Sequence, residues 1–419
     1  MERVSLMKGH VLIAGNINWF NLREKHIKPL LQAGLKITVI SDVEPDKPQY
    51  VTGLSFIHLN NPKHSLATLF SLIKLVLSSL IKGVLFSKKE RRRIIFLYKN
   101  ALMYIPQIRG IDFKKFDLVH CHFLTRPVCV AVISSVIPVP ILASIHGSDL
   151  YVSSKNTNVD LQIIYRFFNK SVSIQVPGSS EKKCCIALGC NEKKVIALPW
   201  SVNTNNFFPL GNKSEVTTLR AEWGIGEASK IFVSVRNLSP IYNVEMIMNA
   251  FQSYANNQSQ DSILLICGSG NLDTQLKSLA ASMEHPNRIR FLGKLTPKQL
   301  LEVYQLSDVY VQNPLSDALP YSILESIICG LPIICGEIGS ITDIKEELIK
   351  SKIKRFFYSG SGVLNETELQ SLFQLAIDSS VKRYATEVNS ILKIYSEELG
   401  TMRTLKLYKH FSASKNEFL

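Results

Sequence analysis

Strand-like and helix-like runs of hydrophobic residues alternate along this chain. Residues 10–16, HVLIAGN, form a short apolar run that predicts a buried strand, and 21–34 has the spacing of an amphipathic helix closed by Gly34. The next strands are predicted at 35–41, 117–123 and 140–147. Strands that alternate with helices imply a parallel sheet with crossover connections.

The alternation breaks near residue 197 and then restarts. Residues 197–215 are rich in Asn, Pro and Ser, as is typical of a linker. Beyond them the pattern predicts strands at 230–238, 262–270, 288–295, 308–313 and 332–339, separated by helices at 244–256, 272–283, 297–307 and 320–329. A chain of 419 residues also favours two domains. The predicted fold class is therefore α/β, with two Rossmann-like doubly wound domains facing an interdomain cleft.

Positive charge is concentrated in the first half of the chain. Residues 1–200 contain 27 lysines and arginines against 12 acidic residues, whereas the remainder contains 21 against 22. The densest basic run, residues 88–93, lacks interleaved aromatic residues, and no nucleic-acid-binding motif appears, so nucleic acid is not expected as a partner.

Residues 65–87 approach membrane-spanning length, but Lys74 and Lys82 interrupt them. Two central lysines would cost several kcal/mol at bilayer depth. Two interpretations stay open: a helix that lies on an anionic membrane surface with the basic run after it, so that 65–93 form a peripheral contact, or a helix packed within its own domain. The eight cysteines show no metal-ligand spacing and the N-terminus no signal peptide, which indicates a reducing compartment and a cytoplasmic location.

Glu325 lies in the otherwise apolar helix predicted over 320–329. Pro320 suits the first position of this helix, and Gly330 suits the position just past its end. Because an unpaired buried carboxylate is costly, Glu325 should have a partner. That partner is either a ligand with paired hydroxyls or the protein's own amides or basic side chains.

Three segments at predicted strand ends favour an anion. Arg236 ends the strand at 230–238, and its guanidinium suits phosphate. The helix entry at 317–320 and the loop at 336–340 offer backbone amide groups. Their order along the chain predicts one phosphate site.

A longer pattern surrounds Glu325: a small-residue loop, the acidic Asp317, seven residues, Glu325, and the ending CGLP at 329–332. In this pattern, residues 291–341 resemble the retaining glycosyltransferases of family 4, also called group 1, which have the GT-B fold. Further segments that match in the family's order are 11–16, 117–122, 146–149, 198–203, 208–209, 236–251 and 268–270. The resemblance therefore covers the whole chain.

The resemblance implies roles for individual residues and domains. Asp317, Arg236 and His146 would act at the transferred sugar and its diphosphate, and Glu325 would bind the ribose. Further donor contacts would come from Gly15, Asn16, Leu295, Leu319, Pro320, Tyr321, Gly339 and Ser340. The implied domains are an acceptor-binding domain at 1–205, a donor-binding domain at 206–385, and a C-terminal helix at 386–419 that packs back on the first.

The chain departs from the family pattern at three places. Tyr242 and Asn243 stand where the family has a phosphate-binding lysine followed by glycine, so one positive charge is missing. Asp317 replaces a glutamate and reaches one methylene less far. Residues 200–203 read Trp-Ser-Val-Asn in place of Asn-Gly-Val-Asp. These changes bear on the choice of donor.

His120 and His122 share one face of a predicted strand, which also suits a metal pair, but no third ligand accompanies them. The resemblance implies no bound metal and no cofactor. The main hypothesis is a retaining, metal-independent glycosyltransferase that moves a hexose from a nucleoside-diphosphate sugar to a glycan or lipid-linked acceptor, in cell-surface polysaccharide synthesis. The alternatives are a phosphorylase or epimerase on the same architecture, and a catalytically weak or inactive nucleotide-sugar-binding subunit of a glycan assembly complex.

Overall fold

The computed structural model describes residues 9–15, 26–43, 51–60, 87–153, 158–210, 212–257, 261–350, 357–378 and 391–413. The chain divides into two compact units. The first consists of residues 1–199 together with 400–419, and the second of residues 200–399. These bounds lie near, but not at, the predicted boundaries at 205 and 385.

The first unit contains a seven-stranded parallel sheet in the order β3-β2-β1-β4-β5-β6-β7. Its strands are β1 (His10–Ala14), β2 (Lys36–Ser41), β3 (Leu54–His58), β4 (Leu118–His122), β5 (Ile141–Ser144), β6 (Ser173–Val176) and β7 (Val195–Ala197). The strand order reverses between β1 and β4. In such sheets ligands bind beyond the carboxyl ends of the strands at this switch point.

The second unit repeats this topology with a six-stranded parallel sheet in the order β10-β9-β8-β11-β12-β13. Its strands are β8 (Lys230–Val235), β9 (Ser262–Cys267), β10 (Ile289–Gly293), β11 (Val309–Val311), β12 (Ile333–Glu337) and β13 (Phe357–Ser361). The switch point lies between β8 and β11, where Arg236 and Gln312 follow the two strands.

Besides a helical stretch at residues 391–395, thirteen α-helices with defined bounds accompany the two sheets within the described ranges. They are α1 (Lys28–Gln32), α2 (Lys88–Arg109), α3 (Pro127–Ser134), α4 (Asn158–Lys170), α5 (Ser179–Ala187), α6 (Lys213–Glu222), α7 (Val244–Asn256), α8 (Asp273–Ala281), α9 (Pro297–Leu306), α10 (Tyr321–Ile328), α11 (Ile341–Lys350), α12 (Glu366–Asp378) and α13 (Glu397–Ala413). In α13, Leu405 and Tyr408 are buried against the hydrophobic core of the first sheet. Both sheets are thus parallel and helix-flanked, which confirms the predicted α/β class with two Rossmann-like sheets.

The central strands are buried on both faces. All five residues of β4 and all six of β9 are buried, as expected for parallel sheets that helices cover. At about 25 cal/mol per Å² of apolar surface removed from water, this burial is the main contribution that holds each sheet to its helices. The short strands β6 and β7 and the edge strands β3 and β13 were not predicted, because runs of three to five residues carry little periodicity.

Helix α10 follows the sequence prediction closely at one end and differs at the other. Gly330 has φ +81°, its amide donates to Ile327 O at 2.8 Å, and the amide of Leu331 donates to Ser326 O at 2.9 Å. This pair of bonds is a Schellman motif and confirms the predicted C-terminal glycine. The prediction that Pro320 occupies the first helical position was wrong: its backbone is extended, with ψ 133°, and it forms the N-cap before Tyr321.

Two further predictions meet the structure only in part. Of the predicted membrane segment 65–93, residues 65–86 lie outside the described residues. Its remaining residues begin α2, which starts with a capping box between Ser87 and Glu90. Asn16, which the resemblance assigns to the donor, also lies outside the described residues. No described helix is long and apolar enough to cross a membrane. All eight cysteines are free thiols.

Candidate active site

Arg236 is the central charge at the switch point of the second sheet. Its guanidinium forms an ion pair with the Asp317 carboxylate through Nη2. Nη1 donates to Gln312 Oε1 at 3.2 Å and lies 3.5 Å from Ser322 Oγ. Burial alone would lower the pKa of Arg236, but the Asp317 carboxylate raises it above its ordinary value. Arg236 therefore carries a fixed positive charge.

Two buried donors in this network have no hydrogen-bond partner among the described residues. They are Arg236 Nε and Gln312 Nε2. The other side of the Gln312 amide accepts from Arg236 and from the Tyr310 hydroxyl, the latter at 3.0 Å. Buried donors are nearly always paired in folded proteins. An unmet pair of donors beside a cation is the electrostatic environment that suits an anionic group.

The loops that the sequence predicted to share a phosphate site do lie together. A side chain at Gly339 would collide with the carbonyl oxygens of Asp317 and Ala318, and the amide of Ser340 donates to Ala318 O at 3.2 Å. Gly339 also has φ +57°, where glycine is strongly favoured. The loop after β12 is thereby packed against the entry to α10.

A second pair of loops fixes the backbone around Arg236. A side chain at Gly268 would collide with the Arg236 carbonyl oxygen, and one at Gly270 would collide with that of Leu238. The amide of Leu238 donates to Ser269 O at 3.1 Å. The Gly-Ser-Gly turn after β9 therefore holds the end of β8, and with it the start of the Arg236 side chain, in one position.

Glu325 lies one turn inside α10 and is 5% exposed. The Tyr304 hydroxyl donates to Glu325 Oε2 at 3.2 Å. The pKa of Tyr321 is raised by burial and by the Glu325 carboxylate, so the Tyr321 phenol stays neutral. Both tyrosines hold Glu325 in a defined environment, and a carboxylate with two oxygens can accept further hydrogen bonds.

Three further residues that the resemblance assigns to the donor offer no polar side chain. Leu319 is buried in the core of the second unit, Leu295 packs against the same core, and Pro320 has no amide hydrogen. The amide of Ala318 donates to Asp317 Oδ1 at 2.8 Å. Since Pro320 supplies no side-chain cap, the first turn of α10 retains amide groups that helical bonds do not use.

In the first unit, His146 follows β5 and belongs to a group of four imidazoles. Its Nε2 lies 3.4 Å from His122 Nδ1, and the rings of His120 and His26 are centred 4.1 and 5.6 Å from that of His122. Burial, with the neighbouring histidines, lowers the pKa of His146 well below its ordinary value. The ring also stacks on Phe123 at 3.9 Å. A neutral, fixed imidazole results.

Asp149 holds the backbone of the His146 turn. Its carboxylate accepts from the His146 amide at 3.0 Å, and burial raises the pKa of Asp149 to about 6 although several hydrogen bonds oppose the shift. Gly15 follows β1, and its amide donates to Ile40 O at 3.2 Å. Within the described ranges, no three His, Cys, Asp or Glu side chains are arranged to hold a metal ion.

Sequence reasoning missed several members of the second-unit site. Gln312, Tyr310, Ser322 and Tyr304 join the Arg236 and Glu325 networks, yet none was singled out. The sequence pattern could have indicated Gln312, because this polar residue directly follows a buried strand. The same signal identified Arg236. The sequence could not have indicated the two tyrosines, because a tyrosine in an apolar run is equally consistent with a residue of the hydrophobic core.

A family model described as "Glycosyl transferases group 1" matches residues 215–357, which include Arg236, Asp317 and Glu325. The second unit contains a group 1 glycosyltransferase domain. This match confirms the predicted family. The glycosyltransferase domain thus coincides with the part of the chain in which the charged cluster lies.

Individual relatives are distant. An N-acetyl-alpha-D-glucosaminyl L-malate synthase of Bacillus anthracis is 22% identical over 234 residues, which cover 55% of this chain and 59% of that protein. A UDP-Gal:alpha-D-GlcNAc-diphosphoundecaprenol alpha-1,3-galactosyltransferase of Escherichia coli is 26% identical over 259 residues, 59% of this chain and 64% of that protein. The matched regions span less than two thirds of either relative.

Solved structures match over nearly the whole chain. A sucrose-phosphate synthase from Thermosynechococcus elongatus has a TM-score of 0.73 at 14% identity and covers 97% of this chain and 100% of its own. HepE of Anabaena in complex with UDP-glucose has a TM-score of 0.69 at 12% identity and covers 96% and 100%. These neighbours confirm the GT-B fold class.

Proposed function

We propose that this chain is a retaining glycosyltransferase that moves a hexose from a nucleoside-diphosphate sugar to a glycan or lipid-linked acceptor in cell-surface polysaccharide synthesis. The observation that carries the proposal is the cluster of Arg236, Asp317 and Glu325 around the first turn of α10, at the switch point of a sheet within a glycosyltransferase domain. The Escherichia coli relative is named for galactose transfer to a diphosphoundecaprenol-linked sugar, which supports a lipid-linked acceptor.

In the proposed donor complex, the Arg236 guanidinium and the amides at the start of α10 bind the diphosphate. Charge-assisted hydrogen bonds of this kind are about twice as strong as neutral ones. Glu325 accepts hydrogen bonds from the two ribose hydroxyls while Tyr304 orients its carboxylate. Asp317 binds hydroxyls of the hexose, so the carboxylate that pairs with Arg236 also meets the sugar next to the diphosphate.

Transfer breaks the bond between the anomeric carbon and the diphosphate oxygen and forms a bond from the acceptor oxygen to the same face of that carbon. The electron pair of the broken bond leaves with the diphosphate, and the acceptor's proton passes to the departing phosphate oxygen. Arg236 and the α10 amides stabilise the charge that grows on this oxygen, which is the main catalytic contribution expected of the protein. This proposal requires no metal ion or cofactor.

We further propose that α2 contacts an anionic membrane surface from which a lipid-linked acceptor is taken. Lys88, Arg92, Ile95 and Phe96 follow the spacing of one helical face, and Ile95 and Phe96 are 53% and 52% exposed. Basic residues beside exposed apolar side chains are typical of surface-binding helices. Arg93 pairs with the buried Asp160 at 2.9 Å, and its guanidinium carbon lies 5.7 Å from the centroid of the Phe96 ring.

A donor screen on the full chain tests the main proposal. Thermal unfolding is measured with UDP-, GDP- and ADP-sugars, since a ligand that binds the native state raises its stability. Transfer from the best donor is then followed with lipid-linked and free glycan acceptors. We expect Glu325→Gln to weaken donor binding about tenfold or more, while Glu346→Gln, an exposed glutamate of α11, leaves it unchanged.

The result separates the alternatives. Stabilisation by one class of sugar nucleotide without transfer to any acceptor would favour a non-catalytic subunit. Conversion of the donor without an acceptor would favour an epimerase. No stabilisation by any of the three classes would contradict the proposal.

A further inference from the structure

The Arg236 guanidinium is held between an aromatic ring and a carboxylate. Its central carbon lies 4.1 Å from the centroid of the Tyr242 ring, well within the range of a cation–π contact. Asp317 accepts from Nη2, Gln312 accepts from Nη1, and Nε has no partner among the described residues. The guanidinium is thus in contact with the ring, the carboxylate and the amide at once, and Nε is a buried donor whose hydrogen bond is unmet.

The Tyr242 ring is itself fixed by its backbone. Tyr242 ends a 3₁₀ turn in which its amide donates to Ser239 O at 3.0 Å. Asn243, the next residue, has φ +51° and ψ 39°, a left-handed conformation that only glycine and asparagine adopt readily. The amide of Leu315 donates to Ile241 O at 2.8 Å, which ties the turn to the loop that carries Asp317.

Tyr242 provides no charge of its own. Burial raises the pKa of its phenol, and although Arg236 opposes this shift, the net direction is upward. The Tyr242 side chain of the folded protein is therefore neutral near pH 7. Its effect on an anion must pass through Arg236 or through its single hydroxyl.

We propose that Tyr242 is the positioning residue of the diphosphate site: its ring holds the Arg236 guanidinium in one orientation at the place where the donor phosphates bind. This inference rests on the proposed function, because it assigns Arg236 to the diphosphate. It also explains how a site with a tyrosine in this turn retains phosphate binding, since a single preorganised guanidinium loses less side-chain entropy on binding than a mobile one. Selectivity for diphosphate over monophosphate then depends on the ring rather than on a second cation.

The experiment compares binding of UDP, UMP, GDP and GMP to four forms of the full chain by calorimetry. Tyr242→Ala removes the ring, and Tyr242→Phe keeps the ring without the hydroxyl. Met246→Ala is the matched control, because Met246 is partly buried against the same hydrophobic cluster as Tyr242. Thermal unfolding of each form reports any loss of packing.

We expect Tyr242→Ala to weaken nucleoside diphosphate binding about tenfold, with a change of at most about twofold for the monophosphate. Tyr242→Phe should bind within about twofold of the original chain, which a hydroxyl that donates directly to phosphate would not allow. In the transfer reaction, the donor KM should rise in Tyr242→Ala and recover in Tyr242→Phe.

Each of the following outcomes would overturn the inference. Equal losses in Tyr242→Phe and Tyr242→Ala would assign the effect to the hydroxyl. Equal losses for diphosphate and monophosphate, or a loss matched by Met246→Ala, would assign it to packing. If Tyr242→Ala binds nucleoside diphosphates as well as the original chain does, only this inference is wrong. If the original chain does not bind nucleoside diphosphates, both this inference and the proposed function are wrong.

Discussion

The two sheets have the same strand order at their centres, yet the carboxyl ends of their strands carry opposite kinds of chemistry. In the second unit the switch point holds formal charges: Arg236, Asp317 and Glu325 within one hydrogen-bonded region. In the first unit the corresponding edge holds a cluster of imidazoles, among them His146, whose ring stacks on Phe123 and which burial keeps neutral. Topology places a site at the same point of each sheet, and the residues decide what that site can do.

The contrast indicates a division of work. A fixed guanidinium and helix amides suit an anion, and they remain effective because they are held in place before the ligand arrives. A neutral imidazole cannot attract a diphosphate, but it can donate or accept a hydrogen bond without bringing a charge to a reacting sugar. The predictions below test this difference, from the largest expected effect to the smallest.

Replacement of Arg236 should have the greatest effect. We expect Arg236→Ala to lower transfer by about 10²–10³-fold, because one preorganised donor to the leaving group is lost. Initial rates with the best donor measure this. Arg288→Ala is the matched control, since Arg288 is a partly exposed arginine of the same unit that pairs with Asp261. An unchanged rate of transfer in Arg236→Ala would show that the charged cluster does not take part in catalysis.

His146→Ala should lower transfer by about 10–100-fold and leave binding of the nucleoside diphosphate unchanged. The family resemblance assigns His146 to the transferred sugar, and its lowered pKa predicts no inflection near pH 6.5 in the rate of the original chain. Calorimetry and pH–rate profiles measure the two quantities separately. A tenfold loss of nucleoside diphosphate binding in His146→Ala would contradict the proposal that the second unit binds the diphosphate and the first unit does not.

The first unit should lose stability in acid. His120, His122 and His146 have pKa values lowered by burial, that of His120 to about 3, so the unfolded chain binds their protons first. Their contribution is complete above pH 6.5 and decreases as the pH falls below 6.5, by at most about 1.4 kcal/mol per pH unit for each histidine. Asp149, whose pKa is raised, acts in the opposite direction between pH 6 and its ordinary value.

Urea unfolding at pH values from 7.5 to 4.5 measures this loss. His120→Gln should reduce the acid sensitivity, because it removes one of the titrating groups, and His410→Gln should not, because His410 is exposed on α13. Identical pH dependence in all three forms would show that the imidazole group does not control acid stability.

The smallest effect concerns α2. We expect Lys88→Gln and Arg92→Gln each to weaken binding to vesicles that contain anionic lipid about fivefold, since one basic residue near such a surface contributes about 1 kcal/mol. Arg109→Gln removes a basic residue at the other end of α2 and should not change vesicle binding. Sedimentation with vesicles at increasing salt measures the effect. Binding that ignores both salt and these substitutions would exclude the proposed membrane face.

The sequence by itself determined the architecture and the main charges of the site. Alternating apolar runs indicated parallel sheets, because strands buried on both faces must be apolar throughout. Gly330 marked the end of α10, and the costly carboxylate of Glu325 marked a position that needs a hydrogen-bonding partner. These features are local, since each depends on a residue and its near neighbours along the chain.

Only the tertiary structure decided which side chains meet. Tyr304 reaches Glu325 across 21 positions, Tyr242 covers Arg236, and Arg93 leaves the basic run to pair with Asp160. None of these contacts follows from spacing, because each joins elements whose distance is set by sheet order and helix packing. The fold brings the ends of β8, β11 and β12 together, and this convergence turns separate weak signals into one charged site.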